Sequence, residues 1–209
     1  MLRLDRAAWP FLLGAAALAT VPALFWPWWS AIPGVVLGAF FAFFFRDPYR
    51  EVHGGAHAVV SPADGRVLLA GSSVPGAAPE GDWLQVSIFL SPMNVHVNRI
   101  PVAGTITRVA LRPGRFLPAY HHDAATDNER SEVWIDHAGQ FVVARQIVGA
   151  LARRVVCRAT VGMRVRAGDR YGVMKFGSRM DLFLPMTARI CVTAGERVRA
   201  GESLIAMLD

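Results

Sequence analysis

Residues 7–45 form the longest apolar stretch of the chain, and no charged residue lies between Arg6 and Arg46. About 20 apolar residues are needed to span the ~30 Å hydrocarbon core of a membrane. The sequence Trp-Pro-Trp-Trp at 26–29 divides the stretch, and proline ends helices whereas tryptophan favours the membrane interface. The pattern therefore predicts a membrane-anchoring, apolar α-helical hairpin at residues 1–48. A re-entrant hairpin and a buried helical pair of a soluble core are the alternatives.

Arginines flank this apolar stretch on both sides: Arg3 and Arg6 precede it, and Arg46 and Arg50 follow it. Positively charged flanks remain on the cytoplasmic side of a membrane. The predicted location is therefore the cell membrane, with the rest of the chain on the cytoplasmic side. We expect no cleaved signal peptide, because the apolar stretch is too long and is double.

Beyond residue 48 the pattern changes to short apolar runs separated by turn residues, which is typical of strands. No amphipathic helical pattern longer than ten residues occurs there. The predicted fold class is mainly β, with a compact β-barrel or sandwich body at residues 49–209. Strands are expected at 58–61, 65–70, 83–90, 102–111, 132–136, 140–148, 152–161, 170–176, 180–184, 188–192 and 203–208. The polar, non-periodic segment 113–131 is expected to be an active-site or membrane-facing loop.

A short internal repeat refines this picture. Residues 161–169, VGMRVRAGD, recur 33 residues later as AGERVRAGE at 194–202. Two glycines that flank a β-branched residue suit a turn, a short strand and a second turn. The repeat therefore predicts two similar β units, like those of biotinyl and lipoyl carriers.

Composition and charge indicate which classes of partner the protein is expected to bind. The 209-residue chain has 53% hydrophobic residues, a net charge of +6, and a single lysine, Lys175, among its 22 basic residues. Next to a membrane anchor, this surplus favours anionic membrane lipids over nucleic acid, because no basic-aromatic RNA-binding motif occurs. Both cysteines, Cys157 and Cys191, lie in apolar runs and are expected to be reduced thiols of a cytoplasmic domain.

The pair Gly177-Ser178 interrupts an apolar run near the C-terminus. Because glycine has no Cβ, a serine that follows it at a tight bend can bring its hydroxyl onto the preceding carbonyl carbon. That geometry permits an N-to-O acyl shift. An ordinary β-bulge or hairpin turn is the alternative.

Two further segments contain candidate acid-base groups. Asp64 lies in SPADGRV just ahead of a predicted strand, and His96 alternates with valines in FLSPMNVHVNRIP. A strand histidine among polar neighbours is a candidate proton carrier. From the residues alone, Asp64 equally suits a plain Asp-Gly turn and His96 a structural role.

Five segments together resemble the short, archaeal-type branch of the phosphatidylserine decarboxylase family: FFRDPYR, SPADGRV, FLSPMNVHVNRIPVAG, DNER and KFGSRMDLFLP. The resemblance runs in order from about Ala7 to Asp209 and covers nearly the whole chain. It implies a pyruvoyl-dependent carboxy-lyase that is made as a zymogen and matures by autocatalytic cleavage.

In this family mechanism Ser178 Oγ attacks the Gly177 carbonyl, and β-elimination then separates residues 1–177 from residues 178–209. Ser178 becomes a covalent pyruvoyl group, which forms a Schiff base with phosphatidylserine and yields phosphatidylethanolamine and CO₂. The implied partners are phosphatidylserine and the enzyme's own two chains as a heterodimer. A higher oligomer remains open.

The resemblance also implies an Asp-His-Ser arrangement for self-cleavage, with Asp64, His96 and Ser178 at the matching positions. Longer family members have two histidines in the strand motif, whereas here Arg99 stands at the second position. We therefore expect His96 to act in both cleavage and decarboxylation, with His121 or His122 as candidates for the missing function. No metal site is predicted, because no metal-ligand spacing occurs.

Two alternatives come from other functional classes. Met174-Lys175 resembles the Met-Lys of biotinyl carriers, although the segment from Gly168 to Lys175 is too short to bring that lysine to a hairpin tip. The second alternative is a membrane-anchored structural β protein without catalysis. Either alternative leaves one intact chain, whereas a pyruvoyl enzyme has two.

Overall fold

The computed structural model describes residues 3–118, 121, 123–150, 155–175 and 178–209. Contacts divide the chain into two compact units, Met1–Tyr49 and Arg50–Asp209.

The N-terminal unit is a pair of apolar helices. A 3₁₀ turn, Arg6–Ala8, leads into α1, Trp9–Phe25, and a second 3₁₀ turn, Trp28–Ala31, leads into α2, Ile32–Phe44. The short strands β1, Arg3–Leu4, and β2, Arg46–Asp47, pair antiparallel at the open end. Gly34 allows the two helices to approach closely, because a Cβ there would lie 2.3 Å from the Ala19 backbone nitrogen.

The helical segment Arg6–Phe25 is long and apolar enough to cross a membrane, whereas Trp28–Phe44 is a shorter apolar helix. The helix pair exposes many large apolar side chains, among them Trp9, Leu13, Leu24, Phe25 and Trp28. A helix that is apolar all round lacks the polar face that water would require.

Within the described residues, the second unit contains fourteen strands and one short helix, α3, Ala124–Asp127. The strands are β3 Ala58–Val60, β4 Gly65–Ser72, β5 Leu84–Leu90, β6 Val97–Arg99, β7 Gly104–Arg112, β8 Arg130–His137, β9 Gln140–Ile147, β10 Val155–Cys157, β11 Arg164–Val165, β12 Arg170–Met174, β13 Ser178–Leu184, β14 Arg189–Ile190, β15 Arg197–Val198 and β16 Leu204–Met207.

These strands form three antiparallel sheets. The largest has the order β11-β7-β8-β9-β13-β5-β4-β15, and two three-stranded sheets have the orders β10-β12-β6 and β14-β16-β3. One face of the large sheet packs into the apolar core through alternate residues such as Val86, Ile88 and Leu90 of β5 and Met180 and Leu182 of β13. The mainly β fold with an N-terminal helical pair is confirmed.

The predicted repeat occupies equivalent positions at the two edges of the large sheet. In the first copy Val165 pairs with Gly104, and in the second copy Val198 pairs with Gly65. These two partner glycines end a second repeat, Pro-x-x-Gly at 62–65 and 101–104, which sequence analysis did not identify. The strand that precedes each copy donates to the proline of the other copy, from Val60 N to Pro101 O and from Arg99 N to Pro62 O.

Several strand boundaries differ from the predicted ones. The strand expected at 180–184 begins at Ser178, because Ser178 already pairs with Leu90 of β5. The strand expected at 102–111 begins only at Gly104, and β6 lies before Pro101. The segment 113–131, expected to be an irregular loop, contains α3 and the start of β8.

Candidate active site

Two chain connections run between the large sheet and the three-stranded sheet β10-β12-β6. Residues 91–96 connect β5 to β6, and residues 175–177 connect β12 to β13. Ser178 pairs with Leu90 on one side of the crossing, and Val173 pairs with Val97 on the other. Met174 N also donates to His96 O at 3.2 Å. The two registers therefore bring the beginning of β13 next to the connection that contains His96.

Ser178 lies on the core face of β13. Side chains alternate along a strand, so Ser178 shares its face with the core residues Met180 and Leu182, whereas Arg179 and Asp181 occupy the opposite face. Ser178 is fully buried, and its Oγ has no hydrogen-bond partner among the described residues. Buried hydroxyls are normally hydrogen-bonded, so Ser178 Oγ is a candidate reactive group. Gly177, the other half of the predicted cleavage site, lies outside the described residues.

His96 is held by a turn at residues 91–94. Pro92 occupies the second position of this turn, which Asn94 N closes by donating to Ser91 O at 2.9 Å. Asn94 Oδ1 in turn accepts hydrogen bonds from the backbone nitrogen and the hydroxyl of Ser91, at 2.9 and 2.8 Å. Proline is favoured at this turn position, and asparagine side chains often bond the backbone of such turns.

The same turn fixes the tautomer of His96, which is 1% exposed. Its Nδ1 lies 2.9 Å from the backbone oxygen of Asn94. A carbonyl oxygen only accepts hydrogen bonds, so Nδ1 carries the proton, and in the neutral ring Nε2 is left with a lone pair. This is the arrangement that a general base requires.

Asp64 lies at the same end of the sheet as Ser178. Asp64 precedes β4, which neighbours β5, and Gly65 approaches so closely that a Cβ there would lie 2.2 Å from Phe89 O. Adjacent strands are about 4.8 Å apart. Because β5 separates β4 from β13, the backbones of Gly65 and Ser178 are about 10 Å apart, on the order of two strand spacings.

The Asp64 carboxylate is held by two partners. Its Oδ2 lies 2.7 Å from Arg50 Nη2, and its Oδ1 accepts a hydrogen bond of 2.7 Å from Ala200 N. Burial raises the pKa of Asp64, and the Ala200 N–H and Arg50 partly oppose that rise. Arg50 also binds Glu202, at 3.0 Å. Arg50 lies within a motif that marked the family, although its pairing with Asp64 was not apparent from sequence.

Arg99, at the family's second histidine position, is 6% exposed and donates to Gly168 O at 3.0 Å. An arginine side chain stays protonated in proteins and cannot act as a base. Among the other candidates, His121 is exposed and lies 3.6 Å from Asp123, whereas His122 is outside the described residues. The structure thus places His96, and not His121, in a buried position beside β13.

Asn128, in the DNER motif, was not identified as a candidate from sequence. It is fully buried, and its Nδ2 donates at 2.8 Å to Leu117 O and to Val148 O. Asn128 therefore joins the segment that follows Pro113 to the end of β9. Its only sequence signal was membership of the motif.

A cleft of about 550 Å³ opens beside the turn that holds His96. Ser91, Met93 and Asn94 of that segment line the cleft together with Asp64. Three basic side chains also line it: Arg66, Arg197 and Arg199. Arg115 is not among these side chains, and its Nη1 lies 3.7 Å from Asp127 Oδ2.

The charged neighbours of the Gly-Ser pair have different surroundings. Arg179 is buried on the face opposite Ser178, where its Nε lies 2.6 Å from Asp181 Oδ1 and its Nη2 donates to Ser87 Oγ at 2.9 Å. Lys175 lies on the crossing between β12 and β13, which belong to different sheets. Lys175 is therefore not at the tip of a hairpin that joins two paired strands, which is the position that a biotinyl carrier requires.

Comparison with known proteins gives one family. Residues 37–206 match the family model described as phosphatidylserine decarboxylase. The chain is 46% identical over 169 residues to the phosphatidylserine decarboxylase proenzyme of Prosthecochloris aestuarii. The aligned residues make up 81% of this chain and 77% of that protein.

Two further relatives match over greater lengths. The chain is 42% identical to the proenzyme of Pelodictyon phaeoclathratiforme, over 94% of this chain and 93% of that protein. It is 40% identical to the proenzyme of Cupriavidus taiwanensis, over 98% of this chain and 95% of that protein. Assignment to the archaeal-type branch stays a prediction. The family model and these relatives show that the chain belongs to the phosphatidylserine decarboxylase family.

Proposed function

We propose that this protein decarboxylates phosphatidylserine to phosphatidylethanolamine, using a pyruvoyl group that it makes from Ser178. The observation that carries this proposal is the buried Ser178 hydroxyl, which has no hydrogen-bond partner in the described part of the chain and begins a strand beside the His96 connection. The experiment that tests it is intact-mass analysis of the wild type and of Ser178→Ala.

Self-cleavage begins with attack of Ser178 Oγ on the carbonyl carbon of Gly177. The Oγ–C bond forms as the peptide C–N bond breaks, and the hydroxyl proton moves to the released amine. His96 Nε2 is proposed to relay that proton from the hydroxyl to the amine, since Nδ1 carries the ring proton that is donated to Asn94 O. Removal of the Cα proton of residue 178 then breaks the Cβ–Oγ bond and frees the Gly177 carboxylate. Hydrolysis of the remaining enamine releases ammonia and leaves the keto group.

The position of β13 explains why the two chains would stay together. The strand lies between β5 and β9 in the middle of the large sheet, and Ser178–Leu184 pair with β5 along their whole length. Core residues of β13, including Met180, Leu182 and Leu184, are fully buried. Residues 178–209 therefore remain bound as the small chain of a heterodimer.

A pyruvoyl group supplies a carbonyl that takes up the substrate amine and accepts the electrons freed when CO₂ leaves. In the cleft, Arg66, Arg197 and Arg199 carry the positive charge that an anionic headgroup needs, because guanidinium groups bind phosphate and carboxylate oxygens well. His96 is the proposed donor of the proton that replaces CO₂. It carries both acid-base functions, because Arg99 cannot accept a proton.

Asp64 is proposed to support self-cleavage through its negative charge. Asp64→Asn keeps the size of the side chain and an acceptor for Ala200 N but removes the charge, so we expect cleavage to slow at least about tenfold, within the range of acid-base contributions. Because burial raises the pKa of Asp64, wild-type cleavage should accelerate as the pH rises through that pKa and the carboxylate ionises. Cleavage is measured as the fraction of two-chain protein against time in cell-free synthesis.

Glu202→Gln is the matched control, because Glu202 is the other carboxylate on Arg50. If Asp64 served only to neutralise Arg50, both variants would slow cleavage to a similar extent. Equal rates in the two variants would therefore contradict a specific role of Asp64.

The N-terminal helices are proposed to anchor the enzyme to the cell membrane with its catalytic body on the cytoplasmic side. The apolar segment Arg6–Phe25 supports this proposal, as do the arginines at both ends of the pair. Deletion of residues 1–45 should move most of the protein from the membrane fraction to the soluble fraction on ultracentrifugation. Undiminished membrane binding of the deletion variant would instead make the basic surface of the body the main anchor.

A further inference from the structure

A second basic cleft lies on the other face of the large sheet, away from Ser178. Its volume is about 580 Å³, and the segment 76–80 forms one wall. The opposite wall consists of side chains from β7, β8 and β9, namely Arg108, Arg112, Arg130, Glu132, Trp134 and Arg145. No step of the proposed decarboxylation uses these residues.

Three guanidinium groups converge on one carboxylate oxygen in this cleft. Glu132 Oε1 lies 2.9 Å from Arg145 Nη2, 3.7 Å from Arg130 Nε and 4.0 Å from Arg112 Nε. The side chains of Glu132 and Arg145 are only 4% and 3% exposed. Glu132 balances one of these cations, so positive charge remains on the other two, of which Arg112 is half-exposed and Arg130 is 18% exposed.

The charge surplus extends to the mouth of the cleft. The Arg108 guanidinium lies over the Trp134 ring, 5.7 Å from its centroid. Among the described residues that line the cleft, Glu80 is the second acid, against four arginines. The pKa of Arg145 is lowered, mainly by burial and less by the like charge of Arg130, although the negative charges of Glu132 and Asp181 oppose that change. The cleft therefore favours a ligand that brings negative charge.

Three buried N–H groups on residues that line the cleft are consistent with the same kind of ligand. Arg145 Nε, Arg130 Nε and Trp134 Nε1 are buried, and none has a hydrogen-bond acceptor within the described ranges. Buried donors are normally paired. The three are N–H groups, so the complementary ligand is an acceptor with several oxygens.

The wall at 76–80 is fixed in place, which makes the cleft a formed site. Arg145 Nη1 donates to Ala77 O, and Val74 N donates to Gln85 Oε1 at 2.9 Å. Ala77 is 2% exposed. The Arg145 side chain, which would face the ligand, thus also holds the opposite wall of the cleft in place.

We infer that this cleft is a binding site for a phosphate-type oxyanion, separate from the catalytic centre. Guanidinium groups bind phosphate oxygens with paired, charge-assisted hydrogen bonds, and the indole N–H adds a further donor. The phosphate of a lipid headgroup and a free phosphate share this chemistry. Phosphate binding in this cleft does not depend on the proposed decarboxylase activity, so either proposal can be contradicted while the other holds.

The test is calorimetric titration of the detergent-solubilised, full-length protein with inorganic phosphate, at constant ionic strength. The double variant Arg108→Gln/Arg112→Gln removes two exposed arginines of the cleft, so circular dichroism should be unchanged. The matched control, Arg164→Gln/Arg166→Gln, removes two exposed arginines from the first copy of the internal repeat, residues 161–169. We expect at least tenfold weaker phosphate binding in the cleft variant and less than a twofold change in the control.

Equal affinities in the two variants, or no saturable binding by the wild type, would overturn the inference. Phosphate that binds in the cleft beside Asp64 would contribute equally to the titrations of the wild type and of both double variants, so it cannot cause a difference between them. A second titration uses short-chain dihexanoyl phosphatidylglycerol. If the lipid binds more tightly than inorganic phosphate, and only the cleft variant loses that binding, the ligand is a headgroup. The reverse order of affinities identifies a free phosphate.

Discussion

Ser178→Ala is expected to give a single uncleaved chain of 209 residues and decarboxylase activity at the background level. Alanine has no hydroxyl to attack the Gly177 carbonyl and no Oγ to eliminate, so neither the chain break nor the keto group can form. The substitution should leave the fold intact, because Ser178 Oγ makes no hydrogen bond with the described residues. Intact-mass spectrometry and release of labelled CO₂ from phosphatidylserine measure the two outcomes.

Ser72→Ala is the matched control, since Ser72 is an exposed serine at the end of β4. This variant should give two chains and wild-type activity. Two fragments from Ser178→Ala would refute self-cleavage by Ser178, and a wild type that stays as one chain would do the same. A mass increase on one intact wild-type chain would instead support modification of Lys175.

His96→Ala is expected to lower self-cleavage, decarboxylation or both by about 10²- to 10⁴-fold, the usual contribution of a positioned acid or base. The buried ring is held by Asn94 O so that Nε2 has the lone pair, and alanine provides neither an acceptor nor a donor of protons. Cleavage is followed by intact mass, and turnover by CO₂ release from whatever fraction has matured.

The two assays distinguish the two proposed functions of His96. An uncleaved chain indicates the base in self-cleavage, and a cleaved but inactive enzyme indicates the proton donor in turnover. His53→Ala, at an exposed position, should behave as wild type. Normal maturation and turnover of His96→Ala would contradict both functions, and His121→Ala and His122→Ala in the same assays would then locate the alternative histidine.

The fold and the site were predictable to different extents. The helical pair followed from an uncharged stretch divided by Trp-Pro-Trp-Trp, and most strands followed from alternation, because both signals are local. The start of β13 was placed two residues late, since its first pairs are made with β5, about ninety residues earlier in the chain. The Pro-x-x-Gly repeat was missed because only its reciprocal hydrogen bonds make the two short copies comparable.

Among the site residues, Ser178, His96 and Asp64 were identified through motifs, whereas their surroundings were not. Nothing local to Asp64 indicates that Arg50 and Ala200 N hold its two oxygens. Nor does the sequence around Arg179 show that this charged side chain is buried against Asp181 and Ser87. Which face of a strand a side chain occupies depends on the sheet that packs against it.

By itself the sequence determined the apolar helical pair, the mainly β body, the family motifs and the serine on which the proposed chemistry depends, because each is written in adjacent residues. The tertiary structure decided which groups meet. Strand register brought Ser178 beside the His96 connection, and burial left its hydroxyl without a partner among the described residues. The same sheet gathered four distant arginines around one cleft on its other face, since antiparallel pairing aligns side chains that the chain order keeps apart.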